Sequence, residues 1–296
     1  MTYDRGLDVG AAATLARAAD VAIVVPADRI GEGGDRRCLS LECTEDLGDQ
    51  DGLIDAVAAA NAKTIVVLQT GGPVLTPWRG RVAALLEAWY PGERGGEAIA
   101  RVLLGDADPA GRLPATFPAR EADGPATTVG DPLLYPGVDD QVHYAEGVLV
   151  GYRWFDARHV APAYPFGYGR SYTSFRYSDL RVRARRGAVK ATVSVRVTNT
   201  GRRPGSDVAQ LYLGLPDVRA GVAQPPRQLK GFTRAVLAPG KSSVVTFPVR
   251  ARDLQFWDVR AHGWRTKRGC VRVAVGRSSR DIELRSTLPV AGSRCR

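Results

Sequence analysis

The chain has 296 residues, 44% of them hydrophobic and 24% charged, with a net charge of +10. Apolar residues this plentiful and this evenly spread exclude intrinsic disorder, and no apolar run approaches the roughly 20 residues of a membrane span. The charge does not mark a nucleic-acid partner either. Of the 41 basic residues 36 are Arg, scattered singly and often beside Asp or Glu, with short clusters at Arg181–Arg186 and Arg202–Arg203, whereas a nucleic-acid footprint gathers its cations on one face.

The length suits about two domains. Met1–Gly10 reads MTYDRGLDVG and is no basic-then-apolar leader, so the signal of an exported parent is expected outside this chain. Val9 to Ala19 then has the spacing of an amphipathic helix, and Val21–Val25 is a short continuous apolar run between Asp20 and Pro26, the pattern of a buried parallel strand. A helix is predicted at Gln50–Ala60, a strand at Thr64–Thr70, and helices at Arg79–Glu87 and Gly95–Leu104. Strands alternating with helices predict an α/β domain, with a mostly parallel sheet covered on both faces.

From Asp106 to Tyr177 eight prolines interrupt any periodicity. A structureless loop of that length is uncommon inside a compact domain, so this stretch is read as a linker wrapping over the surface with short extended pieces. Period-two alternation follows: Val189, Ala191, Val193, Val195 and Val197 share one face, and Asn199-Thr-Gly201 ends the strand. Further strands are predicted at Asp207–Leu213, Gln228–Ala235, Ser242–Val249 and Cys270–Gly276. Several short strands with turns between them predict an antiparallel, immunoglobulin-like sandwich. The expected organisation is an α/β domain over residues 1–121, a linker over 122–176 and an all-β domain over 177–296.

Four cysteines permit three pairings. The local pairing, Cys38 with Cys43 and Cys270 with Cys295, is preferred, and four free thiols in a cytosolic chain are the alternative. There is no C-x-x-C, and the three histidines lie far from every Cys in sequence, so no zinc site is expected. No cofactor is expected either.

In an open α/β sheet, ligands bind beyond the carboxyl ends of the strands. After Val21–Val25 that position holds Gly31-Glu-Gly-Gly-Asp-Arg36. A phosphate cradle is a poor reading, because the third glycine of a dinucleotide fingerprint is missing and no helix starts directly after the glycines. The glycines are better read as a tight path presenting one carboxylate, Glu32, with Asp35 and Arg36 holding the loop and a Cys38–Cys43 bridge restricting it further. On loop physics alone a solvated acidic loop is still the favoured reading.

Longer stretches tip that balance. They are GEGGDR at Gly31–Arg36, VVLQTGGPVLTPW at Val66–Trp78 and the run from Ala88 to Pro118 beginning AWYPGERGGEAIA. YAEGVLVGYRWFD at Tyr144–Asp156 and FGYGRSYTSF at Phe166–Phe175 follow. In these motifs, and in their order, the chain from Tyr3 to Pro289 resembles the C-terminal part of glycoside hydrolase family 3 β-glucosidases and β-xylosidases. The resemblance implies an α/β sandwich domain followed by a fibronectin type III-like domain. It also implies that Glu32 is the general acid/base of a retaining, exo-acting β-glycosidase working on a β-linked oligosaccharide or glycoside. Gly34 stands where the family commonly has Tyr, and Arg170 where it has Leu, which bears on sugar preference. The family's nucleophile is an Asp in a Ser-Asp-Trp segment of an N-terminal TIM barrel, and neither segment nor barrel is in this sequence. The chain is therefore expected to supply the proton donor without the nucleophile and to be inactive alone. The alternative is a non-catalytic carbohydrate-binding or structural module pair. The cysteine pairing points to an extracellular or periplasmic parent.

Among the tryptophans, Trp78, Trp89 and Trp154 are read as buried packing rather than sugar platforms, and Trp257 and Trp264 as core or edge packing of the all-β domain.

Overall fold

The computed structural model describes residues 1–33, 36–43, 47–125, 132–135, 137–217 and 224–295. They fall into two compact units. One is built from residues 1–104 and 117–121, the other from residues 105–116 and 122–296.

In the first unit, helix α1 (Val9–Arg17) starts where the Asp8 carboxylate accepts the N–H of Ala11. Helix α2 (Gln50–Ala60) starts likewise at Asp49, which accepts from Gly52. Such caps satisfy amides that the first helical turn leaves without partners. At the far end of α2, the Asn61 side-chain amide donates to the carbonyls of Ala16 and Ala19 and ties the two helices together. Strands β1 (Ala22–Val24), β2 (Thr64–Leu68) and β3 (Ala84–Glu87) form a parallel sheet with β2 in the centre. Ala22, Val24, Thr64, Val66 and Leu68 are buried, and α2, through Ile54, Val57 and Ala58, packs on this sheet.

Two expectations need correction here. The stretch Arg79–Glu87 is not a helix. A turn in which Arg81 N–H reaches the carbonyl of Trp78 leads into β3. Ala, Leu and Glu favour helix intrinsically, yet pairing of Ala84 to Glu87 with Ile65 to Leu68 overrides that preference. Nor is the second sheet face covered throughout: Val67 is fully buried there in the central strand, but at the β1 edge Val21, Ile23 and Val25 stay 45%, 52% and 51% exposed. Helix α3 (Gly95–Leu103) completes the unit, with only Gly95 of its residues buried.

Among the described residues, helix α4 (Tyr152–Ala157) lies in the linker stretch, and a 3-10 turn at Glu121–Asp123 stands at its start. Two antiparallel sheets follow in the second unit. One holds β4 (Phe175–Ala184), β5 (Val189–Asn199) and β8 (Ser242–Arg250), in the order β4-β5-β8. The other is built from β6 (Gly205–Gly214), β7 (Gln228–Leu237), β11 (Gly269–Gly276) and β12 (Ile282–Val290), in the order β12-β11-β6-β7. A small hairpin of β9 (Phe256–Asp258) and β10 (Gly263–Arg265) precedes β11. Alternate residues of β5, from Ala191 to Val197, are fully buried with Leu211, Leu213, Phe247 and Val273 in one apolar core. Pro248 lies in β8, paired on one side only, where a missing N–H costs no ladder bond.

Buried charges in this unit are held by partners. The Asp207 carboxylate takes hydrogen bonds from Arg112, from the Tyr177 hydroxyl at 3.0 Å and from the N–H of Val208. Asp156 pairs with Arg227 and Arg280, each at 2.8 Å. Both disulfides follow the local pairing, Cys38–Cys43 in the first unit and Cys270–Cys295 in the second. No helix among the described residues is long and apolar enough to cross a membrane.

Candidate active site

The carboxyl ends of the three parallel strands converge on one carboxylate. Past β1 the chain stays beside the segment following β2: Gln69 N–H donates to the carbonyl of Pro26, and Asp28 N–H to that of Gln69. Ala27 between them is gripped by the side-chain amide of Gln50, which accepts its N–H at 2.8 Å and donates to its carbonyl at 2.9 Å. Asp28 is thereby carried inward and is 4% exposed.

Burying a carboxylate requires donors, and three arrive from three loops. Asp28 Oδ1 accepts the N–H of Gly71, after β2, at 2.9 Å and the hydroxyl of Tyr90, after β3, at 2.7 Å. Asp28 Oδ2 accepts Arg36 Nη1 at 3.0 Å, from the far limb of its own loop. Arg36 Nη2 continues to the carbonyl of Pro73 at 2.7 Å, and the Tyr90 oxygen also accepts the N–H of Ile30 at 3.1 Å. Burial, and then the hydrogen bond to the Asp28 carboxylate, raise the pKa of the Tyr90 phenol, so it stays a donor. Gly71 admits no side chain, because a Cβ there would lie 2.4 Å from Ile30 and 2.9 Å from the Tyr90 ring.

This frame pins the loop at Asp28 and Arg36 and leaves its tip in solvent. Glu32 stands on that tip, in an exposed turn closed by Gly33, whose φ of +81° suits glycine. Arg36 forms the second anchor, and the Cys38–Cys43 bridge follows directly. Gly34 and Asp35 lie outside the described residues. Asp28, Gln50, Gly71 and Tyr90 went unread in the sequence. Asp28 had one signal, being the first charged residue past the strand, but its partners lie 43 and 62 residues away.

A further carboxylate ends β3. Glu87 accepts the hydroxyl of Thr70 at 3.2 Å and the N–H of Trp89 at 2.8 Å. Burial raises its pKa to about 7, against the lowering effect of both hydrogen bonds and with a smaller push from the charge of Asp28. Holding the Trp89 amide also fixes that residue's left-handed backbone, φ +53°. Trp89 packs edge-to-face on Phe117. Trp78 is fully buried with its indole N–H on Asp51 at 2.7 Å, and Trp154, 2% exposed, donates to the carbonyl of Asp123. Neither indole can reach a ligand. Trp257 and Trp264 correct the packing expectation, at 45% and 41% exposed. Among the described residues no cluster of His, Cys, Asp and Glu could hold a metal ion.

Comparison with known proteins bears on both units. Residues 7–172 match the glycosyl hydrolase family 3 C-terminal domain, and residues 207–279 match a fibronectin type III-like domain. A beta-glucosidase of Rhizobium radiobacter is 46% identical over 236 residues, which are 79% of this chain and 28% of that protein. Thermostable beta-glucosidase B of Acetivibrio thermocellus is 38% identical over 280 residues, 93% of this chain and 36% of its own length. Among solved structures, DesR, a beta-glucosidase from Streptomyces venezuelae crystallised with D-glucose, superposes with a TM-score of 0.88 at 45% identity, covering 95% of this chain and 35% of its own. Beta-glucosidase 3B from Thermotoga neapolitana, in complex with alpha-D-glucose, gives a TM-score of 0.85 at 35% identity and covers 98% and 40%. The chain thus spans from 28% to 40% of the length of these relatives.

Proposed function

The chain belongs to glycoside hydrolase family 3 through that family's C-terminal domain, and from this premise we propose that it contributes the general acid/base, Glu32, to a retaining, exo-acting β-glycosidase. The substrate is a β-linked oligosaccharide or glycoside, the class named by the relatives, which are β-glucosidases. The observation that carries the reading is the loop beyond β1, buried and anchored at Asp28 and Arg36 while Glu32 is held out at its tip. A proton donor must reach a glycosidic oxygen bound outside its own domain, and a firmly rooted loop with an exposed carboxylate supplies that reach.

Retaining hydrolysis needs a second carboxylate about 5–5.5 Å from the first, to form the glycosyl-enzyme that water later resolves. In this reading that group is an Asp on an N-terminal TIM barrel. Glu32 first protonates the leaving oxygen and then, as carboxylate, takes a proton from the incoming water. The parent is exported in this reading, in keeping with two disulfides.

The test is hydrolysis of an aryl β-glucoside and an aryl β-xyloside by this chain alone. No turnover above background is expected, because a donor without a nucleophile performs half the displacement. Turnover that disappears in Glu32→Ala would overturn the division of the site and require a second carboxylate within these 296 residues.

A further inference from the structure

The β9–β10 hairpin has a construction that the catalytic reading leaves unused. Cross-strand register sets Trp257 directly opposite Trp264, and Phe256 opposite Arg265. Successive strand residues point to opposite faces. Phe256 packs against the sandwich core, which turns both indoles outward. Their ring centroids are 5.4 Å apart in an edge-to-face pair at 65°. Val259 beside them is 64% exposed. Two large apolar rings side by side in water, on a hairpin anchored from behind, mark a contact surface better than they mark packing.

The charge around the pair is one-sided. Residues 250–268 carry six Arg and Lys against two Asp. Arg252, Arg260, Arg265, Lys267 and Arg268 are all exposed. Both carboxylates accept backbone amides nearby: Asp253 that of Arg250 at 2.7 Å, and Asp258 those of Arg260 at 3.0 Å and Ala261 at 3.2 Å. The guanidinium of Arg252 lies over Trp264, 3.2 Å from the ring centroid, and so occupies one face of that indole.

We propose that this hairpin is a non-catalytic binding site for an acidic, uronate-bearing polysaccharide. The apolar C–H face of a pyranose stacks on an indole, and a carboxylate on the same sugar is a partner for a guanidinium fork. Ring and cation adjoin here as the sugar face and the carboxylate adjoin in the ligand. Single-stranded nucleic acid also combines rings with negative charge, but it needs a succession of stacking platforms along a basic groove. An edge-to-face pair with one face already covered offers no such succession. The proposal does not depend on the role of Glu32.

The probe is hexagalacturonate, titrated into the full chain and followed by tryptophan fluorescence and by calorimetry, with cellohexaose and a thymidine hexanucleotide as comparators. Saturable binding of hexagalacturonate is expected, at least tenfold tighter than cellohexaose or the oligonucleotide and weakened by added salt. W257A with W264A should reduce it at least tenfold, and R252Q with R260Q severalfold, leaving the unfolding transition in place because all four side chains are exposed. Absence of binding, equal binding of cellohexaose, or oligonucleotide binding of equal strength lost in the same variants would each overturn the proposal.

Discussion

The two units bury their strands in opposite ways. The second closes on itself: two antiparallel sheets enclose Val193, Val195, Leu211, Phe247 and Val273 in one apolar core. The first carries a parallel sheet, the kind that requires cover on both faces, yet Val21, Ile23 and Val25 remain half exposed. A closed core makes a unit self-sufficient, while a half-covered sheet ties the loop that carries Glu32 to the less secure unit. Stability and candidate chemistry are thus divided between them.

The sharpest way to break this contrast is to cut one apolar side chain from each. Leu211→Ala removes a fully buried residue and should cost the second unit about 3 kcal/mol. Ile23→Ala, on the exposed face, should change the first unit by less than about 0.5 kcal/mol. Urea unfolding, followed by near-ultraviolet dichroism, reads both. A large loss in Ile23→Ala would mean that the face is covered in solution.

The disulfides come next. Cys270–Cys295 closes a loop with a sequence separation of 25, against 5 for Cys38–Cys43. Loop-closure entropy assigns about 3 kcal/mol to the longer bridge and less to the shorter. Replacing each pair by alanines and repeating the melts should reproduce that order. The reverse order would show that the Cys38–Cys43 bridge stabilises the native loop by more than restricting the unfolded chain.

A smaller effect separates the units by pH. Glu87, with its folded pKa near 7 against an ordinary value of 4.5, holds its proton in the native state where the unfolded chain has released it. Stability from this group is therefore intact below about pH 4.5 and falls as pH rises through about 7. Glu87→Gln should flatten that slope in the first unit and leave the second unit's profile unchanged. A slope that survives the substitution would place its origin elsewhere.

How far this was legible in the sequence depends on how far away the deciding partner lies. Strands β2 and β5 announce themselves locally, one as an apolar run and the other by alternation. β3 does not, since Arg79 to Glu87 reads as helix until Ile65 to Leu68 are placed beside it. The same holds at the candidate site. Glu32 was conspicuous through its loop motif, whereas Asp28 acquires its role from Gly71 and Tyr90, supplied by the loops after two other strands. Trp257 and Trp264 misled for a related reason, because alternation alone does not say which face of a hairpin meets the core, and Phe256 decides it.

Glu32 is proposed to protonate and later deprotonate at a site whose nucleophile lies on another domain. Azide rescue tests this most directly, in a full-length protein carrying this chain with Glu32→Ala. An aryl glycoside with a good leaving group needs no proton donor to form the glycosyl-enzyme, but water then lacks its base, and azide, already an anion, replaces it. Added azide should restore turnover of the activated substrate at least tenfold and yield the β-glycosyl azide, with natural β-linked substrates still uncleaved. Full activity of Glu32→Ala on natural substrates, or rescue yielding the α-glycosyl azide, would contradict the assignment.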